Sequence, residues 1–293
     1  MPPPNRVGFL YSGSQQSLKG QFAAFQSLLP AGIHLIPHPV NNDYSQLLPG
    51  AQGLLNNNVG VLVAAGGPVS AFAAKQATAQ QANPTSVVFT SVTEPVESGL
   101  YVLGGNLTGI AGMTTEMDAA RLRLLQEFNP AITNIGVLRN GMRPNQQGQW
   151  TKLTQAADPR LKLDPGDVNA PGQLQQVVQN LVAANQALLV TADPLFNDQR
   201  AVVIAPGGHP LNVPAIYQWR EFVDDGGLMS FGPNLVEEYS AAANYVVRIL
   251  NGEPVANIPL YQPTTFELFI NGSTANALSL NIPPSLRARA HVI

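Results

Sequence analysis

Val59-Gly60-Val61-Leu62-Val63-Ala64-Ala65-Gly66-Gly67-Pro68 is the stretch on which the fold turns. Residues 59–64 are apolar without alternation, which is how a strand covered on both faces reads, and Gly66-Gly67-Pro68 ends the run in a turn that feeds a helix. The same rhythm extends in both directions. Toward the amino terminus it predicts strands at 6–11 and 33–36, and beyond Pro68 at 86–90. Four more follow at 134–138, 161–163, 187–190 and 213–217, each short and each trailed by a helix-like segment. The pattern predicts an α/β chain with parallel sheets covered on both faces.

Three helices carry start and stop signals. Thr115 and Asp118 have capping-box spacing, the stripe Met117, Ala120, Leu124, Phe128 follows, and Asn129-Pro130 ends it. Pro171 opens a second, with Leu174, Val177, Val178, Leu181 and Val182 on one face. Pro233 opens a third, with Glu237 and Glu238 near its positive end, Val246, Val247 and Leu250 on the buried side and Asn251-Gly252 closing it. The βα units form two series that break within 103–112, and the tail after Tyr217 is long enough to cross back between them.

The chain has 293 residues, no cysteine, 15 Lys+Arg and 18 Asp+Glu, a formal net charge of −3. At 11 % charged residues it has under half of the roughly 25 % usual in soluble proteins. Without a basic cluster it is not expected to bind nucleic acid. Residues 44–74 carry no charge, yet Pro49, Gly50, the run Asn56-Asn57-Asn58 and Gly66-Gly67-Pro68 leave no window of about 20 apolar residues to span a bilayer. Met1 is followed by Pro2-Pro3-Pro4 and a strand, without the features of an export signal. Either a cytosolic protein or one whose signal segment has been removed is compatible with this reading.

Ligands of open α/β sheets sit beyond the carboxyl ends of the strands. In the first series those ends supply Tyr11 and Ser12, then Gly66, Gly67 and Pro68, then Ser91, Thr93 and Glu94. Small hydroxyl and glycine residues at helix starts suit a carboxylate held by backbone N–H groups, or else they are only tight βα turns. The second series ends in Arg139, Asn140 and Arg143, then Asp193 before Pro194, then Tyr217, Trp219, Arg220 and Glu221. Asp193 either takes a ligand ammonium or caps a helix, and Tyr217 and Trp219 either form an aromatic wall or pack the core. Enzymatic constellations are weak. Pro37 separates His34 from His38 in a strand, His209 lies in a loop, and no serine has a G-x-S-x-G setting. Asp224-Asp225 and Glu237-Glu238 read as solvated faces. No metal and no cofactor are expected.

Several segments carry a resemblance: Gly226-Gly227-Leu228-Met229-Ser230-Phe231-Gly232, Arg248-Ile249-Leu250-Asn251-Gly252, Gln262-Pro263-Thr264-Thr265-Phe266-Glu267-Leu268 with Asn271, and Ile282-Pro283-Pro284-Ser285-Leu286. Glu94-Pro95-Val96 with Gly99-Leu100, Gly104-Gly105-Asn106-Leu107-Thr108-Gly109 and Asp193-Pro194 agree. Together they resemble the tryptophan/tyrosine-type substrate-binding proteins of ABC transporters. The resemblance implies a type I periplasmic-binding-protein fold: two doubly wound parallel-sheet lobes, 1–112 plus 233–262 and 113–232 plus 263–293, joined by crossovers with a ligand cleft between them. It also implies a non-enzymatic, monomeric, periplasmic or extracytoplasmic protein in mature form, which captures an amino acid or aromatic acid and passes it to a membrane permease. A ligand-sensing domain of a regulator or receptor is the alternative on the same fold. By position, cleft roles fall to the Gly66-Gly67-Pro68 turn, the 91–94 turn, Asp193 and the 217–221 segment. Glu94 stands where the family has aspartate, and its longer side chain either enters the cleft or turns away. Between Asp43 and Glu116 the only charges are Lys75, Glu94 and Glu97, so the first lobe is expected to hold its ligand with dipoles and hydroxyls, and any ion pair to come from the second.

Overall fold

The computed structural model describes residues 5–112, 114–143 and 146–293, with the backbone alone at Thr114 and Thr115. In chain order the first stretch holds β1 (Arg6–Tyr11), α1 (Lys19–Ser27), β2 (His34–Pro39), α2 (Leu47–Asn56), β3 (Val61–Ala65), α3 (Pro68–Thr78), β4 (Ser86–Thr93) and β5 (Leu107–Gly112). Next come α4 (Thr114–Phe128), β6 (Asn134–Asn140), α5 (Gln146–Ala156), β7 (Lys162–Val168), α6 (Leu174–Ala184), β8 (Ala187–Val190), α7 (Pro194–Asp198) and α8 (Arg200–Ile204). The remainder is β9 (Ala215–Tyr217), α9 (Arg220–Asp224), β10 (Met229–Pro233), α10 (Leu235–Leu250), β11 (Phe266–Ile270), α11 (Gly272–Ala277), α12 (Pro284–Arg287) and β12 (His291–Val292). Two units divide the chain: Met1–Met113 with Leu235–Pro263, and Thr114–Asn234 with Thr264–Ile293.

Among the described residues, the first unit, lobe 1, has a parallel sheet in the order β2-β1-β3-β4-β5. Its faces follow the two-residue period of a strand. Val7, Phe9 and Tyr11 pack with Phe25 of α1 and with Tyr239, Ala242 and Val246 of α10, while Leu10, Leu62 and Ala64 pack with Leu54 of α2 and Ala71 and Ala74 of α3. Both faces are buried, and this is why the strands read as continuous apolar runs.

Lobe 2 has the sheet β12-β11-β10-β9-β8-β6-β7, in which β10 and β11 are antiparallel and the other neighbours parallel. Leu125 and Phe128 of α4, Ile135 and Val137 of β6, Leu189 of β8 and Ile270 of β11 share its main core.

Several boundaries differ from the sequence expectation for identifiable reasons. Strands β2 and β7 run on through Pro37 and Pro165 because both are edge strands, where a missing N–H leaves no ladder bond unmade. The segment expected to be a break contains β5, whose Gly109 lies so close to β4 that a Cβ there would sit 2.1 Å from the Phe89 carbonyl oxygen. Pro233 does not open α10; it ends β10, and the helix starts at Leu235. The buried stripe of α10 is Glu238, Tyr239, Ala242, Tyr245, Val246 and Ile249, so Val247 and Leu250 lie at its margin. The expected Thr115 cap lies outside the described side chains, and Asp118 is instead paired with Arg121.

Candidate functional site

In lobe 1 the carboxyl ends of β1, β3 and β4 meet around the Gly66 turn. Gly66 has φ +86°, and a Cβ on it would lie 2.3 Å from the Ser12 hydroxyl, so only glycine lets these two strand ends approach. Ser12, fully buried, donates to the Gly66 carbonyl at 3.1 Å, and the Tyr11 hydroxyl lies 3.3 Å from Ser17 Oγ. The Gly66 N–H donates to Thr90 Oγ1 (3.3 Å) and the Gly67 N–H to the Thr90 carbonyl (3.2 Å). Pro68, the first residue of α3, has no N–H to offer. The Gly66 and Gly67 N–H groups at this turn are thus both donated to Thr90.

The next turn carries strain. Ser91 and Glu94 both have positive φ (53° and 50°); Ser91 lies within the register shift between Phe89 and Val92 where β4 pairs with β5, and Glu94 follows the end of β4. The Ser91 hydroxyl donates to Glu238 Oε2 at 2.6 Å. Thr93 is buried and Glu94 half-buried. Glu238, expected on a solvated face, is 1 % exposed. Burial pushes its carboxyl up to about 7, opposed by the bond from Ser91. Tyr239, also buried, is hydrogen-bonded to the Thr90 side chain and the Gly66 backbone, and burial raises its phenol. Neither Glu238 nor Tyr239 was among the expected site residues. A signal existed: Glu238 stands at i−4 from Ala242 on the apolar stripe of α10, where a carboxyl must face the core.

In lobe 2, Arg139 at the end of β6 is clamped and stacked. Its Nε and Nη2 donate to Asp167 Oδ1 and Oδ2 at 2.8 and 2.7 Å, and its guanidinium carbon lies 4.5 Å from the Trp150 ring centre. Asp193 is 1 % exposed and caps α7: its Oδ1 accepts from Leu195 N (2.9 Å) and Asn140 Nδ2 (3.0 Å). Its Oδ2 lies 3.3 Å from Arg143 Nε, and Arg143 Nη1 donates to the Ala192 carbonyl at 2.5 Å. The position considered for a ligand ammonium thus holds the cation of Arg143, and of the two readings of Asp193 the cap is the one the structure displays. Asp118 pairs with Arg121, which is fully buried and also donates through Nε to the Phe231 carbonyl at 2.7 Å. Burial pushes Asp118 up to about 6 against the pull of Arg121.

Of the aromatic residues at β9, Tyr217 packs the lobe. It is 1 % exposed and stacked on Phe222 at 4.6 Å and 10°. Trp219 is buried to 7 % exposure at the start of α9, with an indole N–H that has no acceptor among the described residues. Glu221 is half-buried in the first turn of α9. A cavity of about 450 Å³, including solvent at its mouth, lies beside Arg139, Arg143, Trp150 and Thr191. Among the described residues no group of three His, Asp or Glu side chains is placed to hold a metal ion, and no helix is long and apolar enough to cross a membrane.

Both sheets thus place buried polar groups, Ser12 and Thr93 in lobe 1 and Asn140 and Asp193 in lobe 2, at or just beyond the carboxyl ends of parallel strands. Residues 38–293 match the profile of a family described as ABC transporter substrate binding protein. The chain belongs to this family. A curated relative of this ABC substrate-binding protein is a tyrosine-binding protein of Clostridioides difficile, 26 % identical over 199 residues, an alignment that covers 66 % of this chain and 57 % of that protein's length. Among solved structures, an ABC domain from Streptococcus pneumonia in complex with L-Trp superposes with a TM-score of 0.87 at 21 % identity, covering 98 % of this chain and all of the other. A conserved domain protein of Vibrio cholerae gives a TM-score of 0.86 at 21 % identity, with 98 % of each chain covered. These similarities establish the two-lobed periplasmic-binding-protein fold.

Proposed function

We propose that this ABC substrate-binding protein works outside the cytoplasmic membrane as a monomer, capturing an amino acid or an aromatic or related carboxylic acid and delivering it to a membrane permease. The observation that carries the reading is the placement of its buried polar groups. Ser12, Thr93, Asn140 and Asp193 lie at or just beyond the carboxyl ends of the strands, where open α/β sheets take ligands, in a chain whose relatives include a tyrosine-binding protein and a fold neighbour holding L-Trp. In lobe 1 the proposed contacts are Ser12, Ser91, Thr93 and Glu94 around the Gly66-Gly67-Pro68 turn, with Glu238 added. Lobe 2 contributes Arg139, Asn140 and Trp219. Their chemistry is recognition: Glu238 and Arg139 are held by internal bonds that fix donor and acceptor directions.

A thermal-shift screen of amino acids, aromatic acids and short carboxylates tests this. A ligand present at 100 times its dissociation constant adds about 2.7 kcal/mol to stability, which raises Tm by several degrees. Failure of every such solute to move Tm would remove the proposal.

A further inference from the structure

We infer that the cavity of lobe 2 is a carboxylate subsite, with the Arg139 guanidinium as its anchor and no place for a ligand ammonium on Asp193. The inference rests on the solute-binding function proposed above and reverses the polarity that the sequence suggests, in which lobe 1 takes the carboxylate.

Three guanidinium groups and three carboxylates lie around this end of the sheet, and they pair one to one: Arg121 with Asp118, Arg139 with Asp167, Arg143 with Asp193. Three of the neutral groups are engaged as well. Thr191 Oγ1 donates to the Leu138 carbonyl, Gln146 Nε2 to the Asn140 carbonyl, and Asn140 Oδ1 accepts from Met142 N. Among the described residues, two guanidinium N–H groups here have no acceptor. Arg139 Nη1 is buried without an acceptor, on the side of the guanidinium away from the edge that grips Asp167. Arg121 Nη2 is buried without one too.

An unsatisfied buried N–H on a cation is costly, and a bound acceptor removes that cost. The anchor is also rigid. Its face is held by Trp150 and its Nε–Nη2 edge by Asp167, so little freedom is lost when Nη1 meets an oxygen. A carboxylate suits it because a charge-assisted N–H···O bond gains most where water is excluded. An ammonium arriving at the same place brings only further donors and a like charge. At Asp193 it would have to displace Arg143, whose side chain is 9 % exposed and already bound to both the carboxylate and the Ala192 carbonyl.

Calorimetric titration of the full chain at pH 7.5 tests the assignment with four probes on one ring system: L-tryptophan, indole-3-propionate, L-tryptophanamide and tryptamine. The same series on the tyrosine ring is run alongside. We expect the two acids to bind, and the amide and the amine to bind at least tenfold more weakly. Arg139→Gln should weaken the acids ten- to hundredfold and leave the amide unchanged, so that the gap between acid and amide closes. Arg139→Lys keeps a cation without the stacked fork and should fall between the two. Arg160→Gln, which removes a cation from an exposed surface pair, serves as the control for net charge and should bind as the parent does. A melting curve confirms that each variant is folded. An amide or amine that binds the parent chain as tightly as the acid overturns the subsite while leaving the binding function intact. So does an Arg139→Gln variant that is folded and retains the parent affinity for the acids. If no solute of the thermal-shift screen binds at all, the proposed function fails first and the subsite falls with it.

Discussion

Glu238 is a carboxyl group buried in a lobe that otherwise works with hydroxyls and dipoles. Its protonated form is favoured by burial, which raises it from the ordinary glutamate range to about 7. The folded state therefore binds more protons than the unfolded chain between about pH 4.5 and 7, and stability must fall across that window as pH rises. A shift of this size corresponds to about 3 kcal/mol, fully present below pH 4.5 and lost above about 7. Glu238→Gln keeps an acceptor for Ser91 and removes the titration. Urea denaturation at pH 5, 6, 7 and 8 should show the variant gaining about 3 kcal/mol on the parent between the first and last of these; parallel pH profiles would contradict the assignment. The Asp118–Arg121 pair is a different case. Arg121 is fully buried and bonded to both Asp118 and the Phe231 carbonyl, so it ties α4 to β10 within lobe 2, and removal of either partner leaves a buried charge without its counterion.

At the scale of elements, β5 is the sharpest test of why the strands sit where they do. Its Gly109 permits β4 to pass so closely that a methyl group would meet the Phe89 carbonyl oxygen and ring at 2.1 and 2.7 Å. Backbone cannot yield as a side chain can, so Gly109→Ala should destabilise lobe 1 by about 3 kcal/mol, read as a lower urea midpoint with an unchanged slope. An alanine variant as stable as the parent would show that β5 is not held in this register. The same glycine explains why the strand was hard to read: Thr-Gly-Ile-Ala-Gly has the composition of a linker, and the close approach that makes glycine necessary is a property of the neighbouring strand. The buried central strands β1, β3, β6 and β8 were legible because two covered faces leave a continuous apolar run. At the candidate site, the sequence shows which residues end the strands but not what they bond to. Nothing near Gly66 in sequence announces that Thr90 takes its N–H, and nothing near Asp193 announces that Arg143 fills its second oxygen. Those partners lie 24 and 50 residues away and are fixed by the parallel pairing of β3 with β4 and of β6 with β8.

For the whole molecule, the scarcity of charge and the interleaving of the two units bear on each other. With only 11 % charged residues, stability must come from burial, and the apolar surfaces that supply it are not contiguous in sequence. Lobe 1 draws Tyr239, Ala242, Tyr245, Val246 and Ile249 from α10, and lobe 2 draws Leu268 and Ile270 from β11 and Leu286 from α12. Both contributions come from beyond residue 234. A fragment of residues 1–234 would retain every strand of the lobe 1 sheet and most of the lobe 2 sheet, yet lose a helix-wide part of one core and an internal strand of the other. At about 1.5–3 kcal/mol for each large buried side chain, the loss in either lobe rivals the 5–15 kcal/mol by which a domain is stable at all. The fragment is therefore expected to show no cooperative thermal transition by circular dichroism and to be cut rapidly by protease throughout, including within residues 1–112, although all the β-strands of that segment are present. A cooperative melt and a protected lobe 1 in the fragment would mean that α1, α2 and α3 cover the sheet sufficiently without α10. Glu238 and Tyr239 would then be residues of the binding surface alone and not of the core that supports it.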